Sequence, residues 1–259
     1  MVEDIMKREE KNAIKRVQSQ ACLNYAERSI LHEVKIAVIV AMQKEMDSLS
    51  ALLKNKKTET VGGFTYVTGE LDRKTLILHQ SGIGKVNAAV GASGLIRNYQ
   101  PDYFISSGCA GGLDSQLKVM DVIASTSTVY HDVFVGEAGE GLEIERPYPS
   151  DTYLINKAKA LSQTSPVTIH LGQICTGDQF ITERAKLELI KQRFPEGLAV
   201  DMESCAIAHT CKIFGVPFIS FRIISDTIGA EIQVDEYKNF WAEMADHSFE
   251  VVRAFIGQL

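Results

Sequence analysis

The chain has 259 residues, 45% of them hydrophobic, which is enough to bury one large α/β core or two small ones. Its 27 basic and 33 acidic residues leave a net charge of −6 with no basic block, which argues against nucleic acid as a partner. No apolar run approaches the roughly 20 residues a membrane span needs, and five cysteines (Cys22, Cys109, Cys175, Cys205 and Cys211) without a CxxC pair fit a reducing, cytoplasmic setting and argue against a zinc site or disulfide frame.

Residues 1–33 are rich in Lys, Glu, Arg and Gln and lack Gly and Pro, and no apolar core marks them as a secretory signal. Ile14, Val17, Ala21 and Tyr25 form one stripe, so a helix is expected over residues 8–31, as an extension ahead of a domain of residues 34–259. Val34 to Val40 is a β-branched run and reads as the first buried strand. A helix begins at Gln43, so Glu45 falls within a turn of that strand's carboxyl end.

Phe64 to Gly69 and Lys74 to Gln80 read as neighbouring strands. Ser81-Gly82-Ile83-Gly84-Lys85 then opens a helix of small residues, Val86 to Leu95. This turn lacks the third glycine of a dinucleotide fingerprint and the ending of a P-loop, but lets backbone approach a ligand closely. Asp102 to Ser107 is a strand ending in Gly108-Cys109-Ala110-Gly111-Gly112, a tip suited to a flat ligand. Cys109 has no basic neighbour in sequence and reads as an inert thiol.

Val119 to Val129 is strand-like, and His131 beside Asp132 reads as a structural hydrogen-bonding pair. Gly136 to Ser150 is a candidate lid. Asp151 caps a helix to about Leu161. Val167 to Cys175 is a strand leading into Thr176-Gly177-Asp178-Gln179-Phe180-Ile181, and Glu183 to Arg193 is a helix.

In Ala199 to Ile228, Asp201 reads as a helix N-cap. Glu203 then falls in the first turn on the same stripe as Ile207, Cys211 and Phe214, where a carboxylate is out of character. Gly215 ends that helix. Val216 to Ile224 is an apolar strand interrupted by Arg222 and followed by Ser225-Asp226. Val234 to Ile256 closes the chain as an amphipathic helix. Glu45, Ser81-Gly82, Cys109 to Gly112, Thr176 to Ile181 and Arg222 to Asp226 all lie at or just past a strand's carboxyl end, the edge where α/β sheets bind ligands.

Seven ordered motifs, AMQKEMDSL, SGIGKVNAA, SSGCAGGL, VYHD, TGDQFI, VDMES and ISD, run from Val34 to the C-terminus. With them the chain resembles the 5′-methylthioadenosine/S-adenosylhomocysteine nucleosidases of the nucleoside phosphorylase superfamily. The resemblance implies an α/β fold: a single domain with a central mixed β-sheet flanked by helices, a homodimer, no cofactor, and hydrolysis of the bond joining adenine to a thio-substituted ribose. By motif, Glu45 would activate water and Asp226 would protonate adenine at N7. Met202 and Glu203 would hold the ribose, Phe180 would stack on the base, and Ile181 would bond to it through main chain. Cys109, Ala110 and Gly111 would line the pocket, and Ile83 would meet the sugar or thioalkyl side. Arg222, with Ser225 beside Asp226, would steady the carboxylates or orient water.

The chemistry agrees. Adenine anion is a poor leaving group, so an acid and a base must work around a cation-like sugar. An Asp shielded from water can keep its proton near neutrality. The chain departs from the family pattern at Asp201, where Glu is commoner, and at Cys109, where Ser is commoner and would be a stronger donor. Two readings share the scaffold, a phosphorylase and a nucleosidase for futalosine-type nucleosides; a non-catalytic nucleoside-binding module needs neither Glu45 nor Asp226.

Overall fold

The computed structural model describes residues 33–136, 142–227 and 248–259. The expected helix over residues 8–31 and the first part of the expected closing helix lie outside these. The strands among the described residues are β1 Lys35–Val40, β2 Lys54–Val61, β3 Phe64–Leu71, β4 Lys74–Gln80, β5 Tyr103–Gly112, β6 Val122–Tyr130, β7 Tyr148–Pro149, β8 Ile169–Thr176, β9 Gly197–Asp201 and β10 Phe218–Asp226. The α-helices among the described residues are α1 Gln43–Ala51, α2 Lys85–Tyr99, α3 Thr152–Ser162, α4 Arg184–Arg193, α5 Ser204–Phe214 and α6 Ser248–Gly257.

The sheet is mixed, as expected, and part of it closes on itself. β5 pairs in parallel with β10, β10 antiparallel with β6, β6 in parallel with β8, β8 in parallel with β9, and β9 antiparallel with the last residues of β5. Ala110, Ile123, Ile174, Ala199 and Ile224, one from each strand of this ring, pack together and fill it. From the other edge of β5 the sheet fans out through β1, β4, β3 and β2. β1 and β10 are wholly or almost wholly buried, which is why their sequences are continuous apolar runs rather than alternating ones. α2 and α5 cover one face through Ala88, Ala92, Leu95, Ile207 and Cys211.

Three readings need correction. Gly108 to Gly112 is not a tip beyond the strand: β5 continues through it, because β10 and β9 pair with these residues. β2 was not expected at all; its sequence KNKKTETV is exposed throughout, so it carries no apolar alternation, and its lysines suit an outer strand that must not pair further. β9 was also missed, being only five residues long and following a Pro-Glu-Gly turn. Elsewhere Asp151 accepts the amides of Tyr153 and Leu154 as an N-cap, and Gly215 ends α5 in the left-handed conformation (φ +69°). Of the candidate lid, the described part forms a short 3₁₀ turn, Glu143–Glu145, and β7, which pairs with β6. Among the described residues no helix is long and apolar enough to cross a membrane.

Candidate active site

The carboxyl ends of β1, β4, β5, β8, β9 and β10 surround a cleft, the edge at which α/β sheets bind ligands. Glu45, Ile83, Cys109, Ala110, Gly111, Phe180, Ile181, Met202, Glu203, Arg222, Ser225 and Asp226 all line it. Residues 160 or more apart in sequence therefore share one wall.

Glu45 stands at the third position of α1 and turns back over the helix start. Its Oε2 accepts the amides of Ala41 (3.0 Å) and Met42 (2.9 Å), and its Oε1 accepts that of Cys109 (3.3 Å). The residue is 1% exposed. Burial pushes its pKa up, while the Met42, Ala41 and Cys109 amides and the Arg222 charge pull the other way. Gly108 lets the carboxylate come close: a Cβ on it would stand 3.0 Å from Glu45 Oε1 and 3.5 Å from Arg222 Nη1, a tight fit that Glu45 would have to ease.

Asp226 ends β10. The β5–β10 register slips between Ile224 and Asp226, and this bulge re-aims the carboxylate. Asp226 then lies over Gly111, whose Cβ would meet Asp226 Oδ2 at 3.3 Å and Val200 at 3.1 Å. Ser225 Oγ is 2.7 Å from Asp226 Oδ1 and 3.2 Å from the Ala110 carbonyl. Glu45 thus sits against Gly108 and Asp226 against Gly111, and all four residues line the cleft.

Asp201 is not the N-cap expected of it. It is the last residue of β9, and Glu203 holds the N-cap position without a side-chain bond to the helix. Asp201 nevertheless serves the helix from two residues away: its Oδ2 accepts the Ser204 amide at 3.0 Å. The same oxygen takes Arg222 Nε at 2.7 Å, and Oδ1 takes the Thr176 hydroxyl at 2.5 Å. Arg222, 2% exposed, also donates to Ser106 Oγ (3.0 Å) and to the Phe221 carbonyl (3.1 Å). Glu203 points into the cleft, with Oε1 accepting the Gly84 amide at 2.9 Å and Oε2 4.0 Å from Arg222 Nη2. Burial and the neighbouring Asp201 push Glu203 up to about 7.

The mouth is built differently. Ile83 and Phe180 are 54% and 61% exposed. Their loops are joined by a cluster the sequence reading missed. Lys85 Nζ donates to both oxygens of Asp132 (2.8 and 2.7 Å), the Lys85 amide donates to Asp178 Oδ1 (2.7 Å), and the Asp178 amide donates to Asp132 Oδ2 (2.8 Å). Asp132 is therefore a partner of Lys85, not of His131, whose ring instead packs against Gly177. The only local signal was charge at three strand ends. Cys109 is half-buried, and burial and Glu45 push its thiol well up, leaving it without thiolate character. Among the described residues, no group of three or more His, Cys, Asp or Glu is arranged to hold a metal ion.

A model of the phosphorylase superfamily matches residues 35–257. The 5′-methylthioadenosine/S-adenosylhomocysteine nucleosidase of Chromohalobacter salexigens is 38% identical over 230 residues, covering 87% of this chain and 97% of that one. The nucleosidase of the same name from Bacillus subtilis is 38% identical over 231 residues, covering 87% of this chain and all of its own. Among solved structures, the Neisseria meningitidis nucleosidase in complex with methylthio-immucillin-A aligns with a TM-score of 0.81 at 36% identity, covering 87% of this chain and 99% of that one. The Colwellia psychrerythraea nucleosidase in complex with adenine aligns at 0.80 and 33% identity, covering 88% and 96%.

Proposed function

The chain belongs to the phosphorylase superfamily and, within it, to the 5′-methylthioadenosine/S-adenosylhomocysteine nucleosidases, and from that membership we propose that it hydrolyses both nucleosides to adenine and the thio-substituted ribose, with Asp226 as acid and Glu45 as base. The observation that carries the assignment of roles is that Glu45 and Asp226 line one cleft, Glu45 against Gly108 and Asp226 against Gly111. A ribose bound in that cleft lies between them, with adenine toward Asp226 and a water toward Glu45.

Asp226 delivers its proton to N7 as the bond from N9 to the sugar breaks, so the base departs neutral. Ser225 suits this role. Its single proton can go to the Ala110 carbonyl, and the serine oxygen then accepts a hydrogen bond from the acid form of Asp226. Glu45 takes a proton from water as the water adds to C1′. Glu203 accepts the ribose hydroxyls and, when ionised, favours the cationic sugar. Met202 packs on the sugar, Phe180 stacks on the base, and Ile181 bonds to it through main chain. Cys109, Ala110 and Gly111 line the wall, Ile83 meets the thioalkyl side, and Arg222 steadies the carboxylates.

Water rather than phosphate is the nucleophile because the amides that could hold an anion at this end of β1, those of Ala41 and Met42, already bind the Glu45 carboxylate. A phosphate there would meet that charge at close range. Incubating the protein with 5′-methylthioadenosine with and without phosphate, and identifying the sugar released, tests this. Free methylthioribose in both cases is expected; a phosphorylated sugar overturns it.

The enzyme acts in the cytoplasm as a homodimer. In support of a subunit interface, Val86 and Val90 lie one turn apart on α2, and Ile213 lies in the last turn of the neighbouring α5; all three are exposed apolar side chains. Residues 1–33 are an extension outside the nucleosidase domain, a reading supported by the start of the family match at residue 35.

A further inference from the structure

Four buried carboxyl groups, Glu45, Asp201, Glu203 and Asp226, share one wall system with a single buried cation, Arg222, among the described residues. In a low-dielectric site such groups compete for the guanidinium, and the geometry shows who wins. Asp201 holds Arg222 Nε at 2.7 Å, while Glu203 Oε2 is 4.0 Å from Nη2. Glu45 makes no direct bond to Arg222 and feels it only through space. Asp201 is itself fixed on three sides, by Arg222, the Thr176 hydroxyl and the Ser204 amide. Ser106 and the Phe221 carbonyl fix the other end of the guanidinium.

We propose that Asp201 is a positioning residue that acts through Arg222: by holding the Nε side of the guanidinium, it keeps the cation from pairing closely with Glu203 or Glu45. A fully paired carboxylate would be a poor base and a poor partner for a cationic sugar. With its one cation shared, the site leaves neither Glu203 nor Glu45 tied up in a close ion pair. The other groups facing Asp201 carry no charge into this balance. His131, beyond β6, is held neutral by burial, and the thiols of Cys175 and Cys205 are pushed up by burial. Facing Glu203 are Asp201, Arg222, Glu45, the neutral Cys109 thiol and the Gly84 amide; facing Glu45 are Arg222, Glu203, the Cys109 thiol and the amides that bind it.

The proposal rests on the hydrolase reading above, and its test separates the two. kcat/KM for 5′-methylthioadenosine is measured across pH for the parent, Asp201→Asn and Arg222→Lys, with thermal melting of each as a control. Asp201→Asn removes a like charge and frees the guanidinium for Glu203, so the acid-side limb moves to lower pH. Arg222→Lys keeps the charge but not the fork, so Asp201 takes the ammonium, and the limb moves to higher pH. Asp201→Glu restores the charge and returns the limb toward the parent. Should Asp201→Asn fail to fold, the opposite shift in Arg222→Lys still decides. A limb that stays put in the folded variants, or moves the other way, overturns the proposal. If the parent releases no adenine, the reading of the site fails instead.

Discussion

On the floor of the cleft, Glu45 is 1% exposed and takes three backbone N–H donors, while on its rim Phe180 is 61% exposed and its loop is tied down through Asp178, Asp132 and Lys85. Glu45 is held by main-chain donors that no side-chain substitution can remove, and the other floor groups by bonds buried from water. Rim groups are held by side chains half open to water, where charge pairs are screened and weaker. The division matches the chemistry. Proton transfer needs atoms fixed to within a fraction of an ångström, whereas grasping a planar base tolerates and even requires some give, since the ligand must enter past Ile83 and Phe180.

If this comparison is right, floor substitutions lower turnover and rim substitutions weaken binding. The largest effect is expected at the acid. Asp226→Asn keeps the shape but cannot give up a proton, and kcat should fall by roughly 10²–10⁴-fold with the melting temperature little changed. Glu45→Gln should behave alike, because the Ala41 and Met42 amides can still bond to its amide oxygen. Near-parental turnover in either variant strips that residue of its role.

The next effect is one of pH. Glu203 sits at about 7, raised by burial and by Asp201. A raised carboxyl is protonated below its pKa, so its ionised form is lost as pH falls through that value. kcat/KM should therefore decline by up to tenfold per unit below about 7, and Glu203→Gln should be low throughout and flat in this range. A parent profile flat from neutrality down to the ordinary carboxylate range would break the link between the floor's shared cation and activity.

On the rim, Phe180→Ala removes the face on which adenine stacks. Base stacking on an aromatic ring is worth about 1–3 kcal/mol, so KM should rise roughly tenfold to a hundredfold with kcat changed far less. A loss carried mainly by kcat would put Phe180 on the floor's side of the division.

The sequence was most legible where chemistry and chain position coincide. Glu45, Ser225 and Asp226 stand beside the ends of strands whose apolar runs announce them, and the cleft forms where those ends meet. What stayed hidden depends on partners far away in the chain. Asp201 looked like a helix cap because Ser204 is three residues on; its bonds to Thr176 and Arg222 span 25 and 21 residues and leave no local mark. β2 was invisible because an exposed outer strand has no face to bury, and so no period-two pattern. Gly108 and Gly111 were read as a tip suited to a flat ligand, and neither has a positive φ. What they supply is space, since a Cβ on either would sit tightly against a carboxylate.

The finest probe of the division is the clamp itself. Asp132 touches no cleft-lining residue expected to meet the substrate; it holds Lys85 Nζ and the Asp178 amide. Through them it fixes the Gly84-Lys85 turn, whose Gly84 amide reaches Glu203, and the loop that carries Phe180. Asp132→Asn keeps one acceptor but loses the charge that holds the lysine, and the pair is partly solvated. KM should rise by a few-fold to about tenfold, kcat should stay within a factor of about two, and added salt should weaken the parent's binding toward the variant's. If kcat fell instead with KM unchanged, the Gly84 amide would be steering Glu203 in the transition state, and the line between floor and rim would have to be redrawn through the Gly84-Lys85 turn.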